Sequence, residues 1–210
     1  MRILIAVLGL VLSFGAYAQA LAPKFKAGED YKLLDKPVRT ITPGKIEVTE
    51  AFSYTCGHCF HFEPVLKAWT AKQADDVAVI KLPVVWRAEM GHYARIMYTG
   101  QALELSDKVD QTVFDAIHVH GKRLASEADV AVLFKDLGVT DEKFKKTFNS
   151  FGVSSQVQQA ESRTRSMAIQ ATPQIIVDGR YSVTVKKSTG HEGLLQVIEF
   201  LLDKVRDEKI

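Results

Sequence analysis

The 210-residue sequence predicts an α/β fold that carries an inserted, all-helical domain. Three observations predict it. A strand, a helix and a second strand follow one another early in the chain, a long block of helical patterns comes next, and a strand hairpin with a final helix ends the chain. One hydrophobic core suffices up to about 250 residues, so the length fits a single domain with an insertion.

The first predicted elements alternate between strand and helix. Residues 21–43 are mixed and interrupted by glycine and proline, which indicates an extended lead-in with one edge strand. Residues 45–52 are rich in strand formers, and residues 76–82 form a second, mostly apolar strand that ends at Pro83. Between the two strands, four apolar side chains recur at helical spacing: Phe62, Val65, Leu66 and Trp69.

A helical block follows from about residue 89 to residue 159. One of its helices is predicted by a capping box at Ser126–Asp129 and a glycine stop at Gly138. A further helical pattern begins around Ser155 and runs to about residue 168.

The helical block is too long for one connection. A single crossover helix with its loops would need about 20 to 25 residues, and the surplus can bury its own apolar stripes. We therefore predict a helical insertion domain at residues 89–156, inside a core made of residues 21–88 and 157–210.

The last elements return to the predicted core. Residues 174–177 form a strand, Asp178-Gly179 is a two-residue hairpin signal, and residues 181–185 supply the partner strand. A final amphipathic helix places apolar residues at helical spacing between Leu194 and Val205.

Residues 1–20 have the features of a cleaved secretory signal. Arg2 gives a positive start, an apolar run covers residues 3–12, and two overlapping A-x-A patterns end at residues 18 and 20. The apolar run is too short for a membrane anchor. We therefore expect an exported mature chain, in a compartment where disulfides persist.

Composition excludes several classes of protein. Hydrophobic residues make up 47% and charged residues 25% of the sequence, which is typical of a globular domain. The net charge of +2 gives no basic surface for nucleic acid. Two cysteines cannot form a disulfide-rich scaffold or a four-thiolate zinc site.

The two cysteines are close together, in Cys56-Gly57-His58-Cys59, between a predicted strand and a predicted helix. A thiol at a helix N-terminus faces unpaired backbone N–H groups and the positive end of the helix dipole, which favour its thiolate. We therefore expect Cys56 to be the nucleophile and Cys59 the resolving thiol. His58 can add positive charge or a hydrogen bond to the sulfur.

This motif is compatible with two other interpretations. A C-x-x-C pair in an exported protein can be a structural loop. A metal site is a second alternative, since His58 and His61 lie beside the two thiols, although a helix does not bring all four onto one tetrahedral ion. We interpret two further histidines, His118 and His120, as solvated helix or loop residues.

Several features in the same order resemble the DsbA family of periplasmic thiol:disulfide oxidoreductases, members of the thioredoxin superfamily. They are the leader, the C-x-x-C motif after a strand, the helical insertion with Phe148-Asn149-Ser150-Phe151, and Thr172-Pro173 before a strand. The resemblance covers essentially the whole mature chain. It implies a thioredoxin-like fold with an inserted all-helical domain.

The resemblance also implies a function and partners. The enzyme would donate a disulfide to newly exported, unfolded proteins in the periplasm and be reoxidised by a DsbB-like quinone-linked inner-membrane oxidase. Its only redox group would be the Cys56–Cys59 disulfide, without a further cofactor, metal or nucleic acid, and the chain would be a monomer.

Matching positions carry the expected roles. Cys56 and Cys59 would be catalytic, His58 would tune the thiolate, and Pro173 would occupy the cis-proline position that faces the disulfide. The Thr172 backbone would pair with an extended substrate.

Three charged residues fall where the family has buried or partly buried charges beneath the active site: Glu50, Glu63 and Lys81. Glu50 would either relay protons to the inner thiol or pair with Lys81, because an unpaired buried carboxylate is costly. Pro64 would kink the active-site helix.

Two positions depart from the best-known members of the family. Gly57 stands where those proteins have proline, giving the Gly-His pair typical of protein disulfide isomerases, and Thr172 stands where they have valine. Gly57 lacks the fixed φ of proline, so we expect a less oxidising disulfide.

The leading hypothesis is therefore a disulfide donor whose substrate contacts residues around Trp86, Met90 and Thr172. For Trp86 and Met90, a role in the hydrophobic core is an equal alternative. A reductase or isomerase on the same fold is the first alternative function, although no dimerisation module precedes the predicted domain. A non-enzymatic metal-binding or chaperone module is the second.

Overall fold

The structure is a computed structural model, and it describes residues 24–208. The predicted signal peptide at residues 1–20 lies outside the described residues. The strands are β1 (Lys32–Leu33), β2 (Ile46–Phe52), β3 (Val77–Pro83), β4 (Gln174–Val177) and β5 (Tyr181–Thr184). The helices are α1 (Gly57–Thr70), α2 (Gly91–Ala102), α3 (Ser106–His118), α4 (Glu127–Asp136), α5 (Asp141–Phe148), α6 (Phe151–Ser166) and α7 (Gly190–Asp207), and a short 3₁₀ helix spans Ala88–Met90.

The strands form one mixed sheet in the order β1-β5-β4-β2-β3. Only β2 and β3 pair in parallel, and the other neighbours are antiparallel. Val177 pairs with Tyr181, so three residues connect β4 to β5 instead of the predicted two. The first two, Asp178 and Gly179, have the positive φ that a type I′ turn requires, 52° and 64°, and the Arg180 N–H donates to the Val177 carbonyl at 3.0 Å. The predicted order of strand, helix, strand, helical block, hairpin and helix is confirmed.

Two hydrophobic clusters lie on the sheet. One joins β2, β4 and β5 to helices α1 and α7. The other joins Phe52, Leu82 and Ile176 of the sheet to the apolar faces of α2 through α6. The helical block between β3 and β4 therefore shares a core with the sheet, and its helices α2 and α6 pack against β3.

The helical block starts and ends within continuous structure. The expected boundary after residue 88 falls in the short 3₁₀ helix, and the one after residue 156 falls within α6. Helix α6 begins at Phe151, several residues before the start predicted around Ser155, because the Ser150 side chain caps it by accepting a hydrogen bond from the Val153 N–H.

The capping box predicted at the start of α4 is confirmed. The Ser126 side chain accepts from the Asp129 N–H at 3.1 Å, and the Asp129 carboxylate accepts from the Ser126 N–H at 3.1 Å. Gly138, just after this helix, has a φ of 84°, as a glycine stop requires. Across residues 24–208 no helix combines the length and hydropathy of a membrane span.

Candidate active site

The two cysteines lie where β2 leads into α1. Cys56 is the N-cap residue, in an extended conformation, and Cys59 lies in the first turn of the helix. The Cys56 Sγ accepts a hydrogen bond from the Cys59 N–H at 3.4 Å, and the Cys56 thiol donates to the Thr172 carbonyl at 3.3 Å. Both cysteines are free thiols; Cys56 is half-buried and Cys59 is fully buried.

The two thiols have opposite acidities. The pKa of Cys56 is lowered to about 5, mainly because the Cys59 thiol donates a hydrogen bond to its thiolate. Burial opposes this effect, but the Thr172 side chain and the backbone N–H groups of Cys59 and His58 stabilise the thiolate further. The same hydrogen bond, together with burial, raises the pKa of Cys59. Cys56 is therefore the thiol that ionises at neutral pH.

His58 reaches the sulfur through its backbone. Its side chain is exposed, and the contribution to the Cys56 pKa comes from its N–H group at the start of α1. The expected effect of the imidazole charge remains a prediction.

A groove opens beside Cys56. The Thr172–Pro173 peptide bond is cis, and these two residues form one wall of a groove of about 440 Å³. Other residues of the lining come from the start of α1, the end of β5 and the start of α7: His58, Val185, Lys187, Gly190 and His191. Most of the exposed lining is apolar, so the groove can accept an extended chain beside the reactive sulfur.

Glu50 is buried beneath the active site, on β2. Its side chain is fully inaccessible, and neither carboxylate oxygen has a hydrogen-bond partner among residues 24–208. The expected hydrogen-bonded pair with Lys81 is therefore absent there, although the Lys81 charge still lowers the pKa of Glu50. Burial dominates and raises that pKa to about 8. Glu50 thus holds a proton at neutral pH, as a proton relay requires.

Lys81 pairs with two other carboxylates. Its Nζ lies 2.6 Å from Glu63 on α1 and 2.8 Å from Asp110 on α3. The Tyr54 hydroxyl also donates a hydrogen bond to Asp110. Burial alone would lower the pKa of Lys81, but the neighbouring carboxylates outweigh it and raise this pKa.

Asp110 and Tyr54 were not predicted from the sequence as site residues. Asp110 is 7% exposed and stands beside Val109, Val113 and Phe114, which form the buried stripe of α3. A single carboxylate in an apolar helical stripe is the signal that could have identified it.

The prediction for His118 was wrong, whereas His120 is exposed as expected. The His118 ring stacks on Phe60, with ring centroids 4.9 Å apart, and its Nε2 lies 2.8 Å from the Tyr54 carbonyl. His118 therefore joins the end of α3 to the loop that precedes Cys56.

Two expected substrate contacts lie away from the groove. Trp86 is 44% exposed, which excludes a core role, and its indole N–H donates to the Ile169 carbonyl at 2.8 Å. Met90 is partly buried against the helical cluster. Neither residue lines the groove beside Cys56.

The remaining predicted features are local to α1. Pro64 lies inside the helix, and His58 and His61 are exposed on its first turns. Within residues 24–208, no group of three or more His, Cys, Asp and Glu side chains is arranged to hold a metal ion.

Comparison with known proteins gives one consistent family. The model of the DSBA-like thioredoxin domain matches residues 82–198, more than half of the chain. The thiol:disulfide interchange protein DsbA of Pseudomonas aeruginosa is 33% identical over 204 residues, which cover 97% of this chain and 96% of that protein. The DsbA of Pseudomonas syringae is 35% identical over 208 residues, with 98% and 97% covered.

Solved structures agree with the sequence relatives. The crystal structure of Pseudomonas aeruginosa DsbA has a TM-score of 0.84 and 32% identity, covering 90% of this chain and 98% of that one. The oxidoreductase DsbA from Xylella fastidiosa has a TM-score of 0.80 and 33% identity, covering 87% and 98%. The fold is thus thioredoxin-like with a helical insertion, as predicted.

Proposed function

The chain belongs to the DsbA family of thiol:disulfide oxidoreductases, and from this premise we propose that it donates the Cys56–Cys59 disulfide to newly exported, unfolded proteins. The observation that carries the proposal is the pair of thiols at the N-terminus of α1, of which only the half-exposed Cys56 has a lowered pKa. An accessible, acidic thiol beside a buried one is suited to forming and releasing mixed disulfides.

The transfer balances as two thiol–disulfide exchanges. A substrate thiolate attacks the Cys56 sulfur of the oxidised enzyme, the Cys56–Cys59 bond breaks, and Cys59 leaves with the electron pair. A second substrate thiolate then attacks the substrate sulfur of the mixed disulfide and releases Cys56 as a thiolate. The substrate loses two electrons and gains a disulfide, and the enzyme becomes a dithiol.

Glu50 would supply the proton that Cys59 needs when it leaves. The raised pKa of Cys59 means that this sulfur takes up a proton at neutral pH, and the raised pKa of Glu50 means that its carboxyl group has one to give. The charge of the Cys56 thiolate raises the pKa of Glu50, and the charge of the Glu50 carboxylate raises the pKa of Cys59. The three residues are therefore coupled electrostatically.

The stabilised thiolate of Cys56 also favours an enzyme that oxidises its substrates over one that reduces them. Whatever stabilises the thiolate stabilises the reduced enzyme, so the disulfide becomes a stronger electron acceptor. One unit of pKa depression is worth about 1.4 kcal/mol, or about 30 mV for this two-electron couple. The lowered pKa of Cys56 therefore favours a donor of disulfides over the reductase or isomerase alternative.

The substrate would lie in the groove beside Cys56, extended along the Thr172 backbone. The groove is open and largely apolar, so it can accept side chains of many unfolded proteins without a fixed sequence. A DsbB-like quinone-linked membrane oxidase would regenerate the Cys56–Cys59 disulfide, and the predicted leader and the family together support action in the periplasm.

The test is oxidation of a reduced, unfolded protein by the purified oxidised enzyme, followed by acid quenching and thiol counting. We expect one substrate disulfide for each enzyme disulfide consumed, and no transfer with Cys56→Ser. Cys59→Ser serves as the matched variant, with Cys56 first converted to a mixed disulfide by an aromatic disulfide reagent. Attack by the thiolate of a single-thiol substrate should then release the aromatic thiol and leave a substrate–Cys56 mixed disulfide that accumulates. Unchanged oxidation by Cys56→Ser would contradict the proposal.

The reduction potential separates oxidase from reductase. Equilibration of the purified enzyme with glutathione buffers should leave it mostly reduced at ratios where an ordinary protein disulfide stays oxidised. An enzyme that remains oxidised under those conditions would favour the reductase interpretation.

A further inference from the structure

The residue after the cis-proline makes an unusual set of contacts. Gln174 is the first residue of β4 and is 4% exposed, yet its side chain points back at the loop that precedes it. The Gln174 Oε1 accepts hydrogen bonds from the Gln170 N–H at 3.0 Å and the Ala171 N–H at 3.3 Å. Its Nε2 donates to the Ser182 hydroxyl on β5 at 2.9 Å. One buried amide therefore ties the loop to the sheet.

The loop has few other attachments. Gln170 and Ala171 are exposed, and the connection from α6 ends at Ile169, whose carbonyl is held by the Trp86 indole. The next residue, Thr172, presents its carbonyl to the Cys56 sulfur at 3.3 Å. The position of Thr172 relative to the reactive sulfur thus depends on the segment that Gln174 holds.

We propose that Gln174 is a positioning residue of the active site, whose side-chain amide fixes the segment 170–172 and thereby sets how Thr172 meets both Cys56 and the backbone of the bound substrate. The contact with substrate rests on the proposed function; the contact with Cys56 does not. A loosened segment would displace the Thr172 side chain, whose hydrogen bond helps to stabilise the Cys56 thiolate. It would also leave the Thr172 backbone less ordered for pairing with a bound substrate chain.

The variant Gln174→Met tests the inference, because methionine retains the length and volume of the side chain and removes its hydrogen bonds. The control is Ser182→Ala, which removes only the acceptor of the Nε2 group and leaves the bonds to the loop in place. Titration of the thiolate absorbance should show the pKa of Cys56 raised by about one unit in Gln174→Met, the size of one hydrogen bond to a charged group. Ser182→Ala should leave it unchanged.

Steady-state oxidation of a reduced peptide, with oxidised glutathione present to regenerate the Cys56–Cys59 disulfide, gives a second readout. We expect KM to rise several-fold in Gln174→Met with a smaller change in kcat, since an ordered Thr172 contributes mainly to substrate binding. A purely structural role would lower the melting temperature and leave the Cys56 pKa and KM unchanged, and that result would overturn the inference.

Hydrogen exchange of the unmodified protein tests the inference without a variant. The Gln170 and Ala171 amides are on an exposed segment, so slow exchange at both would come from the bonds to Gln174. Exchange as fast as in an unstructured chain would overturn the inference even if Gln174→Met fails to fold. Failure of substrate oxidation by the wild-type enzyme, with a shifted Cys56 pKa in the variant, would instead reject the proposed function alone.

Discussion

Glu50 is a carboxyl group whose surroundings strongly oppose its charge. It is fully buried in the central strand pair, and burial raises its pKa to about 8 from a usual value of 4.5. Between these two values the folded protein holds a proton that the unfolded chain has released. The stability of the protein should therefore fall as pH rises through this window.

The variant Glu50→Gln has no carboxyl group at this position, so it should not show this loss of stability with rising pH. In the oxidised protein, where Cys56 does not titrate, wild-type stability should decrease between pH 5 and pH 8 relative to the variant, by at most about 1.4 kcal/mol per pH unit. Urea unfolding at several pH values measures the difference. Parallel stability curves for the two proteins would show that Glu50 is not a neutral acid in the folded state.

Gly57 is a second position where a single residue affects stability, through the backbone conformation at the start of α1. It is the first residue of α1, its N–H donates no hydrogen bond within residues 24–208, and a Cβ placed on it would meet no atom within 4 Å. The preceding residue, Cys56, is already extended at φ −91° and ψ 113°, as a residue before proline prefers. Proline is therefore compatible with this site.

We expect Gly57→Pro to stabilise the folded protein by about 0.5 to 1 kcal/mol, because it restricts the unfolded chain without loss of a native contact. Denaturant unfolding of the oxidised and reduced forms measures the effect. Gly57→Ala, which adds a Cβ without fixing φ, is the matched control and should stabilise less. A destabilised Gly57→Pro would indicate that the turn before α1 needs its freedom.

At the scale of elements, helix α3 is joined to the active site by one buried carboxylate. Asp110 accepts from both Lys81 on β3 and Tyr54 in the loop before Cys56. Asp107, on the same helix, pairs with Lys67 where both side chains are largely exposed, at 81% and 63%. The two pairs differ in burial and therefore in expected strength.

Asp110→Asn should lower the free energy of unfolding by about 2 kcal/mol, because a buried, charge-assisted contact is weakened on two partners at once. Asp107→Asn, the matched control, should change it by less than the error of the measurement. Urea unfolding compares the two variants. Equal effects would mean that the buried contacts of Asp110 add no more stability than the exposed pair of Asp107.

The elements were predictable from the sequence where their signals are local. The Asp178-Gly179 turn and the capping box at Ser126 depend on residues within a few positions, and both were predicted at the correct positions, although the connection from β4 to β5 is one residue longer than predicted. The start of α6 was missed because Phe151 is 89% exposed and therefore breaks the apolar periodicity that predicts a helix.

The site was predictable only in part, for the same physical reason. Cys56 and Cys59 form a motif within four residues, whereas the contacts of Lys81, Asp110 and Gln174 join segments that are distant in sequence or depend on a side chain turning back on its own loop. Periodicity predicts that Asp110 faces the core, but no local pattern gives the partner it meets there.

At the scale of the whole molecule, the redox state of the two cysteines controls the pH dependence of stability, through the ionisation of Cys56. The pKa of Cys56 is about 5 in the folded reduced protein and 9.0 for an ordinary thiol, so between these values the folded state binds fewer protons than the unfolded state. The reduced protein should therefore gain stability as pH rises through this window, and lose that gain as pH falls to 5.

Unfolding free energies of reduced and oxidised protein from pH 5 to pH 9 measure this gain, and their difference cancels the contribution of Glu50 to first order. We expect the reduced form to become progressively more stable than the oxidised form. Cys56→Ser lacks the titrating thiol, so its pH dependence should follow that of the oxidised protein. A constant difference between the two redox forms would contradict the lowered pKa.

The strand order also determines when the enzyme becomes complete during its own synthesis. Strand β2 leads to Cys56, but its neighbour β4 and the Thr172 that faces the sulfur come more than a hundred residues later in the chain. A polypeptide emerges from its N-terminus, so helices α2 to α6 are synthesised before β4 and β5 can complete the sheet. The thiols are thus made early and their surroundings last, so a truncated or half-emerged chain carries the cysteines without the environment that sets their reactivity.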